Sequence, residues 1–464
     1  MEARGQSAAL ERGDLSALEL MEATLARIEA INPRINAIVS LRDGDTLRGE
    51  ARAADASPRK GWLHGMPIAI KDLADAAGLP TSQGSPLFAG QVAAEDDVAV
   101  ARLRAAGAII IGKTNTPEFG LGSHTFNPVH GATLNPYDPA RSAGGSSGGA
   151  AAALATGMLA VADGSDMMGS LRNPAGWNNV YGMRPTWGTV PGDPKGDLFL
   201  HQLSTLGPMA RSPADMAALL DVMTGADPSL PQSYDAAPTL SSIEDAPDGL
   251  RIGWLGDWGG AFPYEEGIAE ICEDALRQMA DMGHSIEAPG PPFDADAIWQ
   301  SWCDLRALAV AAKLGPIHAQ ENKRPYLKPA AIWEVERGLS LDAGQILKAS
   351  AWRSDWYRSA CETFGRFDVL ALPSAQIWPF DVIWNAPERI GAREMDTYHR
   401  WMQVVVPASL IGLPVVNVPV GFGQNGLPAG MQLIGPRGSD AALLRLAHQW
   451  HGRTGWPQAR PPKL

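Results

Sequence analysis

Ser142-Ala143-Gly144-Gly145-Ser146-Ser147-Gly148-Gly149-Ala150, SAGGSSGGA, packs three serines and four glycines into nine residues, too flexible a composition for the interior of an ordinary strand or helix. Four readings compete for it: a linker, a phosphate-cradling loop, the nucleophile elbow of an α/β hydrolase, and a less common serine site. The linker fails on position. The stretch runs directly into AAAALATGMLAVA (Ala150 to Ala162), a strong helix former followed by an apolar run, so it joins structural units instead of separating them.

The elbow pattern G-x-S-x-G fits twice, centred on Ser146 or on Ser147, but that fold needs a buried strand immediately before the serine. Leu134–Arg141, LNPYDPAR, carries two prolines in four residues and is predicted to be a loop. The downstream histidines, His201, His284, His318, His399, His448 and His451, have no context that marks one as a triad member. The nucleotide reading is prompted by Gly107–Thr114, GAIIIGKT, which satisfies G-x-x-x-x-G-K-[ST]. Its middle residues form strands rather than open turns, and Thr114-Asn115-Thr116-Pro117 interrupts any helix starting at the lysine. It is predicted to be a buried strand ending in a polar turn, with Lys113 a surface or turn-anchoring cation.

The chain has 464 residues, 45% apolar and 19% charged, the profile of a globular protein with a large core. Thirty-eight basic against 51 acidic side chains leave a net charge of −13, which repels phosphate backbones and anionic lipid; nucleic acid and membrane are therefore not expected partners. Three cysteines, Cys272, Cys303 and Cys361, without C-x-x-C spacing argue against a disulfide framework or structural zinc. The start, MEARGQSAALERGDLS, has no apolar core of signal-peptide length, and no run of 18 apolar residues follows. A cytoplasmic protein is expected.

Along the chain, Ser16-Ala17-Leu18-Glu19 fits a capping box, and Leu18, Met21, Leu25 and Ile28 recur at helical spacing until Asn32-Pro33 stops the pattern. From Gly61 to about Asp227, short apolar runs (MPIAI, GAIIIG, LAVA) alternate with Ala-rich helical stretches, the pattern of an α/β sheet with covering helices. Residues 226–250 form a Pro/Ser/Asp-rich surface connection. A strand restarts at Arg251–Leu255, a mostly helical region runs to about residue 365, Phe367–Pro373 resumes strand character, and GLPVVNVPVGF and GLPAGMQLIG have the look of buried strands before a last helix from about Ser439.

GMPIAIKD (Gly65 to Asp72), GGSSGG (Gly144 to Gly149) and GSDMMGSLRNPA (Gly164 to Ala175) together resemble the core of the amidase signature family. GAIIIGKTNTPEF (Gly107 to Phe119), NPYDP (Asn135 to Pro139), GPMARSPAD (Gly207 to Asp215) and GLPAGMQLIGP (Gly426 to Pro436) follow in that family's order, so the resemblance spans nearly the whole chain. It implies one large α/β domain over residues 1–464, with a central mixed β-sheet covered by helices on both faces. Its parts would be docking helices at about 1–60, a catalytic core at about 61–227, a mostly helical substrate-pocket excursion at about 251–365, and a return to the sheet at about 366–464. The family's Ser-Ser-Lys triad maps to Ser170 as nucleophile, Ser146 in a cis peptide as proton relay, and Lys71 as base; Gly120 matches a position whose backbone contacts substrate. No metal and no cofactor belong to this mechanism.

Chemistry can be weighed beside the resemblance. Lys71 follows the apolar run Pro67-Ile68-Ala69-Ile70, so its amine is expected in a desolvated place that favours the neutral form; half neutrality near pH 7.5 needs a pKa about 3 units below the usual ~10.4. Ser147 suits the N-cap of the Ala-rich helix, leaving Ser146 to face Lys71. The amides of Met167, Met168, Gly169 and Ser170 offer a cup for an oxyanion. Met168 departs from the family, which usually has glycine there, and bears on substrate size more than on the reaction. Asp166 and Arg172 are expected to be buried or half-buried supports of this loop, with contact between Arg172 and substrate as the alternative; His124 and His130 are not needed. Trp299, Trp302, Trp333, Trp352, Trp356, Trp378, Trp384 and Trp401 could wall an aryl or alkyl pocket or simply pack the core. The expected activity is hydrolysis of a small carboxamide to an acid plus ammonia or amine, in a chain compatible with a homodimer. The alternatives are the glutaminase subunit of a tRNA-dependent amidotransferase and a catalytically silent binding protein.

Overall fold

A computed structural model describes residues 1–193, 195–200 and 202–464; His201, one of the histidines considered above, lies outside the described residues. Eleven strands build two sheets. The smaller contains β1 (Ile38–Val39), β2 (Pro67–Lys71) and β3 (Ile109–Thr114), with β3 in the middle, parallel to β2 and antiparallel to β1. The larger contains β4 (Val161–Asp166), β5 (Tyr181–Arg184), β6 (Thr205–Ala210), β7 (Arg251–Trp254), β8 (Ser285–Glu287), β9 (Val369–Pro373), β10 (Val415–Phe422) and β11 (Pro428–Ile434). Its order is β8-β7-β9-β11-β10-β5-β6-β4, parallel for the first three strands and antiparallel from there on. The mixed α/β sheet expected from the sequence is present.

Apolar strands arise because the larger sheet is covered on both faces. Along β9, Val369 and Ala371 join one core, while Leu370 and Leu372 join another, as the two-residue period of a strand requires. The first core is closed by the helix Ile268–Asp281 through Cys272, Ala275, Leu276 and Met279. The second is closed by the short helix Asn173–Trp177 and by Val404, Val405 and Val406. Near-continuous runs such as VVNVPV are the signature of strands buried on both sides.

The N-terminal helices are Ala3–Arg12, Ala17–Ile35 and Gly44–Asp55. Ser16 and Glu19 form the expected reciprocal capping box. The second helix does not stop at Asn32-Pro33 but continues to Ile35, ending at Asn36 in the left-handed region with φ 56°. Proline in the last turn removes a single helical hydrogen bond. The side-chain oxygen of Asn32 takes up the amides of Ala37 and Ile38 as the chain turns into β1. No helix among the described residues is long and apolar enough to cross a membrane.

Two other local expectations are corrected. Asp138–Ser142 is not a loop but a strand, paired with Leu134–Asn135 in a small, mostly solvent-facing hairpin, since prolines are tolerated where a ladder edge faces water. Lys113 is neither at the surface nor solvated: it is fully buried, donates to the carbonyl of Ala74 and to Thr81 Oγ1 at 3.3 Å, and lies 3.9 Å from Asp72 Oδ1. Its turn-anchoring role is realised inside the protein.

Candidate active site

The two sheets meet where the site lies. β2 runs against β4, and in place of a ladder bond the Lys71 amide donates to Asp163 Oδ1 at 3.0 Å. Lys71 is the last residue of β2 and is buried. Its Nζ donates to Ser146 Oγ and to Ser147 Oγ, both at 2.8 Å, to Ser165 Oγ at 3.0 Å and to the Ser165 carbonyl at 3.3 Å. No carboxylate touches it. Burial pushes its pKa down to about 7 against the opposing pull of Asp163 and Asp166, because a desolvated ammonium surrounded by neutral hydroxyls is poorly compensated. Burial likewise raises the Asp163 carboxyl to about 6. The next residue, Asp72, turns away from Lys71 to accept from the amide and hydroxyl of Ser82.

The glycine–serine stretch owes its composition to close packing. A Cβ on Gly148 would lie 2.4 Å from Thr125 Oγ1, and one on Gly149 2.3 Å from the Asn115 amide nitrogen; neither position admits a larger residue. The Gly145–Ser146 peptide is cis. Helix Gly148–Ala155 starts immediately after Ser147. Ser147 occupies the N-cap position, yet its hydroxyl makes no capping bond and is one of the Lys71 partners. The sequence assignment of Ser147 as a helix cap is thus replaced by a second hydroxyl on the lysine.

Ser170 lies on the turn after β4. Its hydroxyl has no protein partner among the described residues and lines a cavity of about 740 Å³ that Lys71, Ser146, Gly120, Met167 and Met168 also line. Asp166 organises this turn. Burial alone would raise its carboxyl, but Arg172 and Arg184 hold it well below the usual carboxylate range, and it accepts from the amides of Gly169 at 2.9 Å and Leu171 at 3.0 Å. The Gly169 amide is therefore already engaged, whereas those of Met167, Met168 and Ser170 have no protein acceptor among the described residues. Arg172 is completely buried, bonded to Asp166, Gln432, Ser409 and the Val405 carbonyl, and is not among the residues that line the cavity. Gly120, at φ 69°, packs over Ser146: a Cβ there would sit 2.8 Å from Leu73 and 3.6 Å from Ser146 Oγ.

His124 bonds Ser142 Oγ and the Val382 carbonyl, and burial lowers its pKa to about 4; it is a neutral structural group. Of the tryptophans considered, Trp299, Trp302, Trp356 and Trp401 are core residues, and none of the eight lines the cavity. Trp187 does, with Arg306 and Lys313. Sequence reasoning missed those three, and also Asp163 and Ser165. The latter pair carried a signal: in VADGSD, positions 163 and 165 put two polar groups on the same face of a strand that otherwise reads as core.

The chain matches the family model Amidase over residues 19–444. It is 33% identical to an acylamidase of Rhodococcus erythropolis, covering 99% of this chain and 97% of that protein. It is 32% identical to the A component of the glutamyl-tRNA(Gln) amidotransferase of Chloroflexus aurantiacus, covering 98% and 96%. Among solved structures, a bacterial aryl acylamidase of the amidase signature enzymes superposes with a TM-score of 0.92 at 27% identity over 99% of both chains. The corresponding amidotransferase component of Thermotoga maritima gives 0.75 at 27% identity over 93% of both. With the ordered sequence segments, the mixed sheet and the match over nearly its full length all in agreement, the chain belongs to the amidase signature family of amide-hydrolysing enzymes.

Proposed function

We propose that the protein hydrolyses a small linear carboxamide through a covalent acyl-enzyme, with Ser170 as nucleophile, Ser146 as proton relay and Lys71 as base. The observation that carries this reading is a buried lysine, its pKa lowered to about 7, 2.8 Å from a serine hydroxyl that opens on the same cavity as Ser170. When Lys71 is neutral, the contact to Ser146 reverses: Ser146 O–H donates to the lone pair on Nζ. Ser146 can then pass its proton to Lys71 as it takes one from Ser170, whose Oγ attacks the amide carbon. The carbonyl oxygen becomes an oxyanion, and the unengaged amides of Met167, Met168 and Ser170 are the donors for it. As the C–N bond breaks, the proton returns from Lys71 through Ser146 to the leaving nitrogen, giving ammonia or an amine. Water then attacks the acyl-enzyme by the same relay, releasing the acid and restoring Ser170.

Asp166 keeps the turn in shape, since a carboxylate held by two guanidiniums stays ionised and fixes the amides on either side of the nucleophile. The cavity lining of Met167, Met168, Met402 and Val310 beside Gln83, Arg306 and Lys313 accommodates a substrate with both apolar and polar parts. Two considerations favour a self-sufficient hydrolase over a glutaminase subunit: the larger TM-score to the aryl acylamidase and a net charge of −13, which repels tRNA. Retention of every group that the mechanism uses speaks against a silent binding protein.

Incubating the purified chain alone with a panel of aliphatic and aryl amides and with glutamine tests this. Turnover of amides without partner subunits is expected. Activity confined to glutamine and dependent on another protein chain would favour the amidotransferase role. Ser170→Ala should lose at least about 10⁴-fold in kcat with an unchanged fold, and a fluorophosphonate should label Ser170; labelling confined to residues 142–150 would return the nucleophile to the glycine–serine stretch.

A further inference from the structure

The cavity wall beside the nucleophile turn contains a charged group that the hydrolytic steps do not use. Arg306 projects from the helix Ala295–His318, is only 3% exposed, and lines the cavity. Two of its three nitrogens are committed to protein: Nε donates to Glu334 Oε1 at 2.6 Å and Nη2 to the Tyr398 hydroxyl at 2.8 Å. Tyr398 in turn donates to Glu334 at 2.7 Å, so the guanidinium is fixed in a closed triangle. The third nitrogen, Nη1, meets among the described residues only the thioether sulfur of Met167 at 3.4 Å, and Met167 is on the turn that ends in Ser170. A thioether is a weak acceptor, and a buried guanidinium N–H left with one is poorly satisfied.

Resting on the hydrolase reading above, we infer that Arg306 Nη1 is a specificity-determining donor that receives a neutral acceptor oxygen, such as a ketone, ester or second amide carbonyl, on the part of the substrate lying beside Met167. Neutrality follows from charge balance. Glu334 already cancels Arg306, and the adjacent Arg337 is paired with Asp304 at 2.6 Å. Beside Met167 a substrate carboxylate would thus enter without a cation of its own, Lys313 lying about two turns further along the helix Ala295–His318, whereas a carbonyl oxygen needs only the free N–H. The flexible Met167 side chain can yield its place to such an oxygen. An apolar substrate group leaves the N–H as poorly paired as it is in the free protein, and a site built to donate a hydrogen bond discriminates against ligands that cannot accept it.

Three amides with one heavy-atom skeleton separate the possibilities: 4-oxopentanamide (neutral acceptor), 4-methylpentanamide (apolar) and succinamate (anionic). The expected order of kcat/KM is 4-oxopentanamide first, by about ten-fold or more over 4-methylpentanamide, with succinamate last. In the paired variant Arg306→Gln with Glu334→Gln, which removes both charges together, the ratio between the first two should fall to within about two-fold. A purely structural Arg306 would lower all rates while leaving that ratio intact. An equal rate on the oxo and methyl compounds, a preference for succinamate, or a ratio that survives in a folded paired variant would each overturn the inference. If the paired variant does not fold, the wild-type order alone still decides. Hydrolysis of other amides but of none of these three would also refute it, whereas failure on every amide together with no labelling of Ser170 would bring down the hydrolase reading first.

Discussion

Lys71 ends β2 and Lys113 is the last residue but one of the parallel neighbour β3, one register step apart, since Ile70 pairs with Lys113 and Lys71 with Thr114. Both are buried, and in both burial lowers the pKa. Their neighbours differ. Lys113 is tied to a carbonyl and lies beside Asp72, itself fixed by Ser82; Lys71 is surrounded by three serine hydroxyls and opens on the cavity. A buried lysine tied to a carbonyl beside a carboxylate is an anchor that holds the turn after β2 to β3. A buried lysine among hydroxyls, with no carboxylate in contact, is held near half-neutrality and can exchange protons. Local composition does not separate the two; the chemistry of the shell does.

The sharpest way to break this contrast is to substitute both. Lys71→Met and Lys71→Arg should each lose about 10²–10⁴-fold in kcat/KM, because arginine keeps a charge but has no removable proton near neutral pH. The same change at the neighbour, Lys113→Met, should act mainly on stability, by about 3–5 kcal/mol in denaturant unfolding, since it leaves Asp72 buried without its cation. An active Lys71→Arg enzyme, or a Lys113→Met chain as stable as wild type, would erase the distinction.

Next in size is the pH dependence. The active form is the neutral amine, so kcat/KM should rise about ten-fold per pH unit below the Lys71 pKa, bend near 7 and level off above it. The linkage has the same sign for stability. The folded pKa is below the unfolded value of about 10.4, so the unfolded chain binds more protons between these pKa values and this group makes stability rise with pH across that window. A profile flat from pH 5 to 9 would contradict the assignment. The smallest effect belongs to Ser165, whose hydroxyl is 3.0 Å from Nζ: Ser165→Ala should reduce kcat/KM by less than about ten-fold, the scale of one hydrogen bond, and displace the bend of the pH profile. An unchanged bend would remove Ser165 from the lysine's electrostatic shell.

Much of this was legible in the sequence. An apolar run ending in lysine placed Lys71 at the buried end of a strand, and the alternation of apolar runs with helix formers gave the layered sheet. What remained hidden depended on long-range contact. Lys113 reads as a polar turn residue until Asp72 and Ala74 are folded against it. Gly169 resembles its neighbours as an oxyanion donor until the Asp166 carboxylate claims its amide. Arg306 is one arginine among many in a helical region, and only the approach of residue 167 across 139 positions of chain makes it part of the cavity. Of the tryptophans, Trp299, Trp302, Trp356 and Trp401 pack in the second core, the ordinary place for large indoles.

Arg172 spans the molecule in another sense. Its partners Val405, Ser409 and Gln432 lie 233, 237 and 260 positions further along the chain, so the turn carrying Ser170 is braced by residues synthesised well after it. The nascent chain therefore carries Lys71, Ser146 and Ser170 before it carries the residues that brace the turn between β4 and the helix Asn173–Trp177.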